Sequence, residues 1–298
     1  ILLDISDHSL IIDFCFQNKI DLVVIGPEQP LVDGLADYLR QNGIKVFGPS
    51  SNASQIESSK VFAKKMMYEA GIPTAKYIEF SESQLNQSFD YLNSATFPLV
   101  IKVDGLAAGK GVLICNNKSE SQSAIKEIFE EKVFGKSGSK IIIEEFLVGE
   151  EASIFAITDG KHFVCLPAAQ DHKRLGEGDT GKNTGGMGAY APAPIITEKL
   201  QSRIEKEIIE PILKQMRETG NNFIGCLYAG LMITNSGPKV IEFNCRFGDP
   251  ETQVVLPLLD GDFLQLLLSA ADGNLDKNAV RYSDGSAVCV VVASAGYP

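Results

Sequence analysis

Carboxylate, amide and guanidinium side chains alternate with other residues in the segment from Lys239 to Thr252, which carries the strongest chemical signal of the sequence. Glu242, Asn244 and Arg246 are spaced by two, so on a β-strand they share one face. Carboxylate and amide oxygens suit Mg²⁺ bridging nucleotide phosphates, and Arg246 suits the charge of a phosphoryl group in transfer. The polar face of an ordinary amphipathic strand is the alternative. The Gly-Asp-Pro-Glu turn that follows favours the metal site.

A loop with very few side chains follows the strand-like residues around Lys102, within the segment from Ile101 to Val112. Its backbone can close on phosphates, because N–H groups and two lysines would face the anion. We therefore expect Lys102, Gly109, Lys110 and Gly111 to contact a nucleotide. The loop is not a Walker A loop, since neither Ser nor Thr follows Gly-Lys and no helix signal comes after it. A flexible hairpin is the alternative.

An apolar strand breaks into a short acidic connection between residues 141 and 153. Exposed backbone at such a break can read the edge of a nucleotide base, which points to the peptide groups of Glu145, Phe146 and Leu147. Glu151 is placed to accept hydrogen bonds from ribose hydroxyls. Acidic strand ends are often only solvated, and that alternative stays open.

Charged residues precede a glycine-rich segment, predicted as a loop, at residues 183–189. Lys173 and Arg174 suit a phosphate or carboxylate ligand, and Asp171 can position an amine. A solvated surface turn is the alternative, although the glycines permit close approach of a ligand. His172 is interpreted as a structural hydrogen-bonding residue.

The first 50 residues read as alternating helices and strands, a pattern typical of a parallel sheet. A helix is predicted over 7–17 with Asp7 as its cap, and buried strands over 21–25 and 44–47. Because ligands bind at the carboxyl ends of such strands, the loop at 26–31, which contains Pro27 and Glu28, is a candidate substrate edge. An ordinary strand-to-helix turn is the alternative.

A change of pattern after residue 50 indicates a domain boundary there. A helix is predicted over 59–70, followed by a polar stretch to Thr96 and by hairpin-like strands from Leu99. A long amphipathic helix is predicted over 198–218, with a kink at Pro211. Further strands are predicted over residues 141–146, 153–158 and 163–167.

Composition places the chain of 298 residues, 44% of them hydrophobic, among globular proteins of more than one domain. Its net charge of −11 and the absence of a basic run argue against nucleic acid as a partner. No segment has the length of a membrane span or the pattern of a signal peptide, and the six cysteines show no CxxC spacing. We therefore expect a cytoplasmic protein. The chain opens at Ile1 and closes just after an apolar run, so a native N-terminal strand and a C-terminal piece are expected to be missing.

Taken in this order, the segments resemble the ATP-grasp superfamily and, within it, the phosphoribosylamine–glycine ligase family. The resemblance covers nearly the whole chain. It is carried by Gly-Pro-Glu-Gln-Pro-Leu at 26, Asp-Gly-Leu-Ala-Ala-Gly-Lys-Gly at 104, Gln-Asp-His-Lys-Arg at 170, Asn-Thr-Gly-Gly-Met-Gly-Ala-Tyr at 183 and Glu-Phe-Asn-Cys-Arg-Phe-Gly-Asp-Pro-Glu-Thr at 242.

The resemblance implies an α/β and α+β multidomain architecture, with an ATP-grasp fold preceded by a partial Rossmann-like N-terminal domain. The implied domains are an N-terminal unit at 1–50, the ATP-grasp domain at 51–270 with a mobile lid at about 75–143, and the start of a truncated C-terminal domain at 271–298. Two departures concern the sites. Residues 227–233 offer no second metal carboxylate, which leaves the metal count open, and the family's N-terminal glycine-rich turn would precede Ile1.

The resemblance also implies the chemistry, which is ATP-dependent ligation of glycine to 5-phosphoribosylamine through glycyl phosphate, in a monomer or weak oligomer. The ATP phosphates would lie near Lys60 and Lys102, and Mg²⁺, with Mn²⁺ as the alternative, on Glu242 and Asn244. The implied catalytic residues are Arg246, Lys173 and Asp171. The implied substrate-binding residues are Pro27, Glu28, Asp171, Arg174, Gly185, Gly186 and Asp249. The rival interpretations are another ATP-grasp carboxylate–amine ligase and a nucleotide-binding module without turnover.

Overall fold

The computed structural model describes residues 3–107, 111–178 and 180–297, with only the backbone of residue 183. Its N-terminal part is a small α/β unit in which β1 and β2 pair in parallel, Val23 opposite Val46. Asp7 accepts hydrogen bonds from the N–H groups of Ser9 and Leu10, which confirms the predicted helix cap. The elements are α1 (His8–Asn18), β1 (Val23–Val24), α2 (Glu28–Val32), α3 (Leu35–Gln41) and β2 (Val46–Phe47).

Two helices separated by a single extended residue connect this unit to the rest of the chain. They are α4 (Ser51–Ser58) and α5 (Lys60–Glu69). Ser50 and Ser59 cap them by accepting hydrogen bonds from the third N–H along the chain. The prediction of α5 is confirmed, whereas α4 was not predicted.

A four-stranded antiparallel sheet, which we call the lid sheet, follows in the order β3-β6-β4-β5. Its strands are β3 (Tyr77–Ser81), β4 (Leu99–Val103), β5 (Val112–Cys115) and β6 (Lys140–Glu145). Two helices, α6 (Leu85–Tyr91) and α7 (Lys118–Phe129), accompany it and share its core of Ile, Leu, Val and Phe side chains. The β4–β5 hairpin confirms the prediction from Leu99 onward, whereas the stretch predicted to be merely polar contains β3 and α6.

A second four-stranded antiparallel sheet, which we call the body sheet, has the order β12-β11-β7-β8. Its strands are β7 (Glu150–Thr158), β8 (Phe163–Cys165), β11 (Gly225–Thr234) and β12 (Gly237–Asn244). The predicted long helix is divided into α8 (Glu198–Ile204), a π-helical turn (Glu205–Ile209) and α9 (Glu210–Glu218). The irregularity thus precedes Pro211, which has no N–H to continue the regular hydrogen-bond pattern.

A third sheet has the order β15-β10-β9. The remaining α-helices and β-strands of the described residues are β9 (Gln170–Gly176), β10 (Thr180–Ala191), α10 (Thr252–Val255), β13 (Leu259–Gly261), α11 (Phe263–Ala271), β14 (Val280–Tyr282) and β15 (Ala287–Val290). The glycine-rich segment predicted as a loop lies within β10, so that prediction is wrong. Gly188 explains the difference, since a Cβ there would lie 2.6 Å from the carbonyl oxygen of Cys289 on β15. No helix among the described residues is long and apolar enough to cross a membrane.

Candidate active site

The connection between the two four-stranded sheets is only four residues long, from Phe146 to Gly149. Glu145, at the end of β6, accepts hydrogen bonds from the backbone N–H of Lys76 and from Nζ of Lys239, at 3.1 and 3.0 Å. Burial opposes the charge of Glu145, but these two contacts outweigh it and lower the carboxyl pKa. The carboxylate of Glu145 is therefore occupied by structural partners. The backbone of 145–147, where adenine is expected, lies at the junction of the sheets.

Lys60 stands at the N-terminus of α5, where it meets the start of the glycine-rich loop. The Asp104 carboxylate accepts hydrogen bonds from Ser59 Oγ and from the backbone N–H of Val61, at 3.0 and 2.8 Å, which fastens the loop to the helix. Lys60 Nζ donates to the carbonyl oxygen of Gly105 at 3.3 Å. These contacts bring Lys60 to the loop predicted to hold phosphates.

The electrostatics of Lys60 show which groups surround it. Burial lowers its pKa, the Glu242 carboxylate opposes that effect, and the charge of Lys102 adds to it. Contacts give the geometry. Lys60 Nζ reaches the carbonyl oxygen of Gly105 just after β4, and Lys102 Nζ on β4 donates to the carbonyl oxygen of Ile241 at 3.0 Å, one residue before Glu242 on β12. The structure brings together two predicted phosphate ligands and one predicted metal ligand.

The glycine-rich loop is described only in part, because Gly109 and Lys110 lie outside the described residues. Gly111 packs so closely that a Cβ would lie 2.4 Å from Val103 Cγ2. Its carbonyl accepts a hydrogen bond from the N–H of Val103. Gly111 therefore closes the base of the hairpin, where only glycine fits.

Glu242 and Asn244 lie on β12 opposite Gly230 and Tyr228 of β11, and both side chains are half-buried. They share one face of the strand, as predicted. Within the described ranges, no three carboxylate, imidazole or thiol groups converge on one point. The oxygen donors of Glu242 and Asn244 fit a hard divalent cation that takes its other ligands from phosphate and water.

Arg246 does not share the face of Glu242 and Asn244 by strand periodicity, because β12 ends at Asn244. That part of the prediction is wrong. Arg246 Nε lies 3.0 Å from Glu28 Oε2 and its Nη2 lies 3.5 Å from Glu57 Oε1. Burial opposes its charge, but both glutamates outweigh it and raise the guanidinium pKa. Arg246 thereby joins the end of β12 to the start of α2, where Pro27 is the N-cap and Glu28 the first helical residue. The prediction of a loop over 26–31 is therefore wrong from residue 28 onward.

Successive side chains of β9 point to opposite faces of the sheet, so Asp171 and Lys173 lie on one face and Arg174 on the other. Lys173 Nζ lies 3.4 Å from Asp171 Oδ2 and 3.2 Å from Glu151 Oε2, so both carboxylates share one ammonium group. Burial opposes the charge of Lys173, but Tyr228 and the two carboxylates outweigh it and raise its pKa well above the usual value. Arg174 donates instead to the carbonyl oxygen of Gly181 at 2.8 Å, within the β9–β10 hairpin. The structure therefore does not bring the side chain of Arg174 to the group formed by Lys173, Asp171 and Glu151.

Gly186 and Asp249 lie next to each other. A Cβ on Gly186 would lie 2.4 Å from Pro250 Cδ and 3.5 Å from the carbonyl oxygen of Asp249, and its backbone has a positive φ of 130°. The N–H of Gly185 donates to the Tyr297 hydroxyl at 3.4 Å. Gly186 is therefore packed against Asp249 and Pro250, whereas the described contact of Gly185 is with Tyr297.

A buried polar network that the sequence did not reveal lies beneath Lys173. Ser153 Oγ lies 3.0 Å from the Tyr228 hydroxyl and donates to Glu251 Oε1 at 3.1 Å. Burial raises the pKa of Glu251, and the nearby charge of Asp171 raises it further. Glu251 belongs to the Gly-Asp-Pro-Glu turn, whose sequence was the one available signal.

Comparisons with known proteins identify the family of the chain. Residues 2–57 match the N domain of phosphoribosylglycinamide synthetase, and residues 58–252 match its ATP-grasp (A) domain. The phosphoribosylamine–glycine ligase of Leptospira interrogans is 53% identical over 295 residues, which is 99% of this chain and 69% of the relative.

Solved structures give the same result. The crystal structure of phosphoribosylamine–glycine ligase from Thermotoga maritima superposes with a TM-score of 0.76 at 37% identity, and the match covers 85% of this chain and 63% of that one. The biotin carboxylase domain of Hydrogenobacter thermophilus 2-oxoglutarate carboxylase, solved with MgADP and bicarbonate, has a TM-score of 0.73 at 16% identity over 95% and 61% of the chains, which shows the fold alone. The predicted ATP-grasp fold is thus confirmed, and the chain belongs to the phosphoribosylglycinamide synthetase family of ATP-dependent ligases, whose role is in purine biosynthesis.

Proposed function

We propose that the protein joins glycine to 5-phosphoribosylamine at the expense of ATP, giving glycinamide ribonucleotide, ADP and phosphate. The observation that carries this proposal is a pair of contacts at the junction of the lid and body sheets. They bring Lys60 to the carbonyl oxygen of Gly105, and Lys102 to the carbonyl oxygen of Ile241, one residue before Glu242. Three elements far apart in the sequence supply these groups. Their chemistry is that of a site for a metal-bound polyphosphate.

The nucleotide is proposed to lie along this junction. Its phosphates contact Lys60, Lys102 and the loop of Gly109, Lys110 and Gly111, and its base lies against the backbone of 145–147. Glu151 accepts hydrogen bonds from the ribose and, through its ion pair with Lys173, connects the nucleotide to the acceptor side of the site. The lid, residues 75–143, is proposed to move over the bound nucleotide and exclude water.

Glu242 and Asn244 are the proposed ligands of Mg²⁺, with Mn²⁺ as a substitute, on the nucleotide phosphates. The cation supplies charge neutralisation and orientation when it is bound. Arg246 is proposed to stabilise negative charge on the transferred phosphoryl group, and Glu28 and Glu57 fix its guanidinium.

The reaction proceeds in two displacements. A carboxylate oxygen of glycine attacks the γ-phosphorus, and the bond from that phosphorus to the oxygen shared with the β-phosphate breaks, which releases ADP. The amine nitrogen of phosphoribosylamine then attacks the carbonyl carbon of glycyl phosphate. The carbon–oxygen bond to the phosphoryl group breaks, the nitrogen loses a proton, and inorganic phosphate leaves. Positioning and charge neutralisation supply the rate enhancement, since no covalent enzyme intermediate is required.

Asp171 and Lys173 are proposed to position the reacting amine and carboxylate. The Asp171 carboxylate is buried and holds the half-buried Lys173 ammonium at 3.4 Å, which fixes the orientation of the pair. The proposed contacts of phosphoribosylamine come from Pro27, Glu28, Arg174, Gly185, Gly186 and Asp249. We propose no nucleic acid or membrane as a partner. The protein is proposed to act in the cytoplasm as a monomer or weak oligomer.

The test measures ADP release by the protein with Mg-ATP, glycine and freshly made phosphoribosylamine, each omitted in turn. Release is expected only with all three, and glycinamide ribonucleotide is the expected product. Alanine and bicarbonate in place of glycine serve as matched acids, and faster release with either would favour another ATP-grasp ligase. Binding of Mg-ATP without turnover under any combination would favour a module that only binds nucleotide.

A further inference from the structure

A buried charge cluster lies beside the proposed phosphate site and consists of Lys64, Lys102 and Glu144. All three are at most 5% exposed. The Glu144 carboxylate bridges the two lysines, with Oε1 2.9 Å from Lys64 Nζ and Oε2 3.0 Å from Lys102 Nζ. Each lysine therefore holds one of the two carboxylate oxygens.

Burial lowers the pKa of Lys64, the Glu144 carboxylate opposes that effect, and the contacts of Nζ suit the ammonium form. Besides Glu144, Nζ donates to Thr74 Oγ1 at 2.7 Å and to the carbonyl oxygen of Ala75 at 3.3 Å. The Thr74 hydroxyl proton is already donated to the carbonyl oxygen of Val240, so Thr74 must accept from Lys64. Two hydrogen-bond acceptors and the ion pair with Glu144 surround Lys64 Nζ, an arrangement that suits an ammonium group.

Lys102 and Glu144 meet by the register of the lid sheet. Lys102 lies opposite Ile142, and Glu144 lies opposite Val100, so the two charged side chains are diagonal neighbours on the face away from the core. Lys102 Nζ also donates to the carbonyl oxygen of Ile241 on β12, one residue before Glu242. Among the described residues, Glu144 and Ile241 are the partners of Lys102 Nζ, and they account for two of its three N–H donors. The charge of Lys102 also contributes to the lowered pKa of Lys60.

The cluster has two positive charges and one negative charge, so a net charge of +1 is buried. An uncompensated charge away from water is unfavourable, and a bound anion would relieve that cost. We propose that Lys64 is a positioning residue that shares the Glu144 carboxylate and thereby leaves the charge of Lys102 available to a nucleotide phosphate. This inference rests on the proposed function, in which Lys102 contacts the phosphates.

A charge count predicts the effect of removing Lys64. In Lys64→Met, the whole carboxylate of Glu144 neutralises Lys102, and the net charge of the cluster falls to zero. In the double variant Lys64→Met/Glu144→Gln, both neighbours are neutral and Lys102 again carries +1. The double variant therefore restores the attraction for phosphate that the single variant loses, which a packing role of Lys64 would not produce.

The experiment is calorimetric titration of the wild type and both variants with ADP in excess Mg²⁺, and with adenosine as a ligand without phosphate. Lys64→Met should raise the Kd for ADP by about tenfold, the size of one lost charge-assisted contact, and leave the Kd for adenosine unchanged. The double variant should return to within about threefold of the wild-type Kd for ADP. Lys64→Arg, which keeps the charge, is the matched control and should bind as the wild type does.

An unchanged Kd for ADP in Lys64→Met, or a double variant that binds ADP no better than the single one, would overturn the inference. If Lys64→Met does not fold, the double variant decides alone, because the charge count predicts nearly wild-type ADP affinity and a packing role predicts its loss. A wild-type protein that binds no ADP would instead overturn the proposed nucleotide site, and the inference with it.

Discussion

Replacing Gly149 with alanine is expected to displace the connection between the lid and body sheets. Gly149 is the last residue before β7, and its Cα lies against the backbone of Ile233 on β11. A Cβ at this position would lie 2.2 Å from the carbonyl oxygen and 2.8 Å from the carbonyl carbon of Ile233. The obstacle is backbone, so no side-chain rotation can relieve the clash.

The size of the effect follows from this overlap. Carbon–oxygen contacts in proteins begin near 3.3 Å, so the connection must move by roughly 1 Å. Ile233 pairs with Glu150 in the β7–β11 ladder, which resists movement on its side, so residues 145–148 take up most of the shift. Overpacking of this kind costs about 1–3 kcal/mol of stability. A displacement of about 1 Å in a substrate-positioning contact, even one away from the reacting atoms, lowers kcat/KM by up to roughly 100-fold.

The assay measures the melting temperature together with kcat and KM for ATP, glycine and phosphoribosylamine. Gly149→Ala should melt several degrees lower and show its largest change in KM for ATP, because the displaced backbone is the proposed adenine contact. Gly285→Ala is the matched control, since the nearest atom to its Cβ is Leu258 Cδ2 at 3.8 Å. A Gly149→Ala variant with the melting temperature and ATP KM of the wild type would refute the reasoning.

Three further changes test other parts of the account. Glu242→Gln should raise the Mg²⁺ concentration needed for half-maximal activity by about 10-fold or more, and an unchanged Mg²⁺ dependence would remove Glu242 from the metal site. Arg246→Ala should lower kcat by roughly 100-fold or more while KM for ATP changes by less than about threefold, and full turnover would exclude its role in phosphoryl transfer. Asp159 has a pKa lowered to about 2 from 3.8, because hydrogen bonds from the N–H groups of His162, Leu275 and Lys161 outweigh its burial. Because this pKa is depressed, its contribution of about 2 kcal/mol is present above about pH 4 and is lost as the pH falls towards 2. The advantage of the wild type over Asp159→Asn in urea unfolding should shrink over that range, and a constant difference would contradict this interpretation.

Much of the fold could be predicted from local signals. Asp7 and Ser59 cap their helices as the sequence indicates, and the alternation from Leu99 onward correctly predicts a hairpin. Helix α4 was missed because its sequence, Ser-Asn-Ala-Ser-Gln-Ile-Glu-Ser, is mostly polar and has low helix propensity. It forms because Ser50 caps it and because Ala53 and Ile56 are buried in the main core.

The candidate site could be predicted only where one segment supplies it. The period of two correctly placed Glu242 and Asn244 on one face, but it failed at Arg246 because the strand ends before it. The reason is a long-range contact, since the N–H of Cys245 donates to Glu57 Oε2 at 2.7 Å rather than to a neighbouring strand. The cluster of Lys64, Lys102 and Glu144 combines three separate segments, and spacing along the chain gives no sign of it.

Transfer of ¹⁸O from glycine to phosphate tests the central claim of glycyl phosphate formation most directly. Glycine labelled in both carboxylate oxygens would be incubated with the protein, Mg-ATP and phosphoribosylamine, and the released phosphate analysed by mass spectrometry. Because a carboxylate oxygen attacks phosphorus and leaves with it, each phosphate should carry one ¹⁸O and the amide product should retain the other. If the protein turns over fully and the released phosphate carries no ¹⁸O, the acyl phosphate mechanism is contradicted.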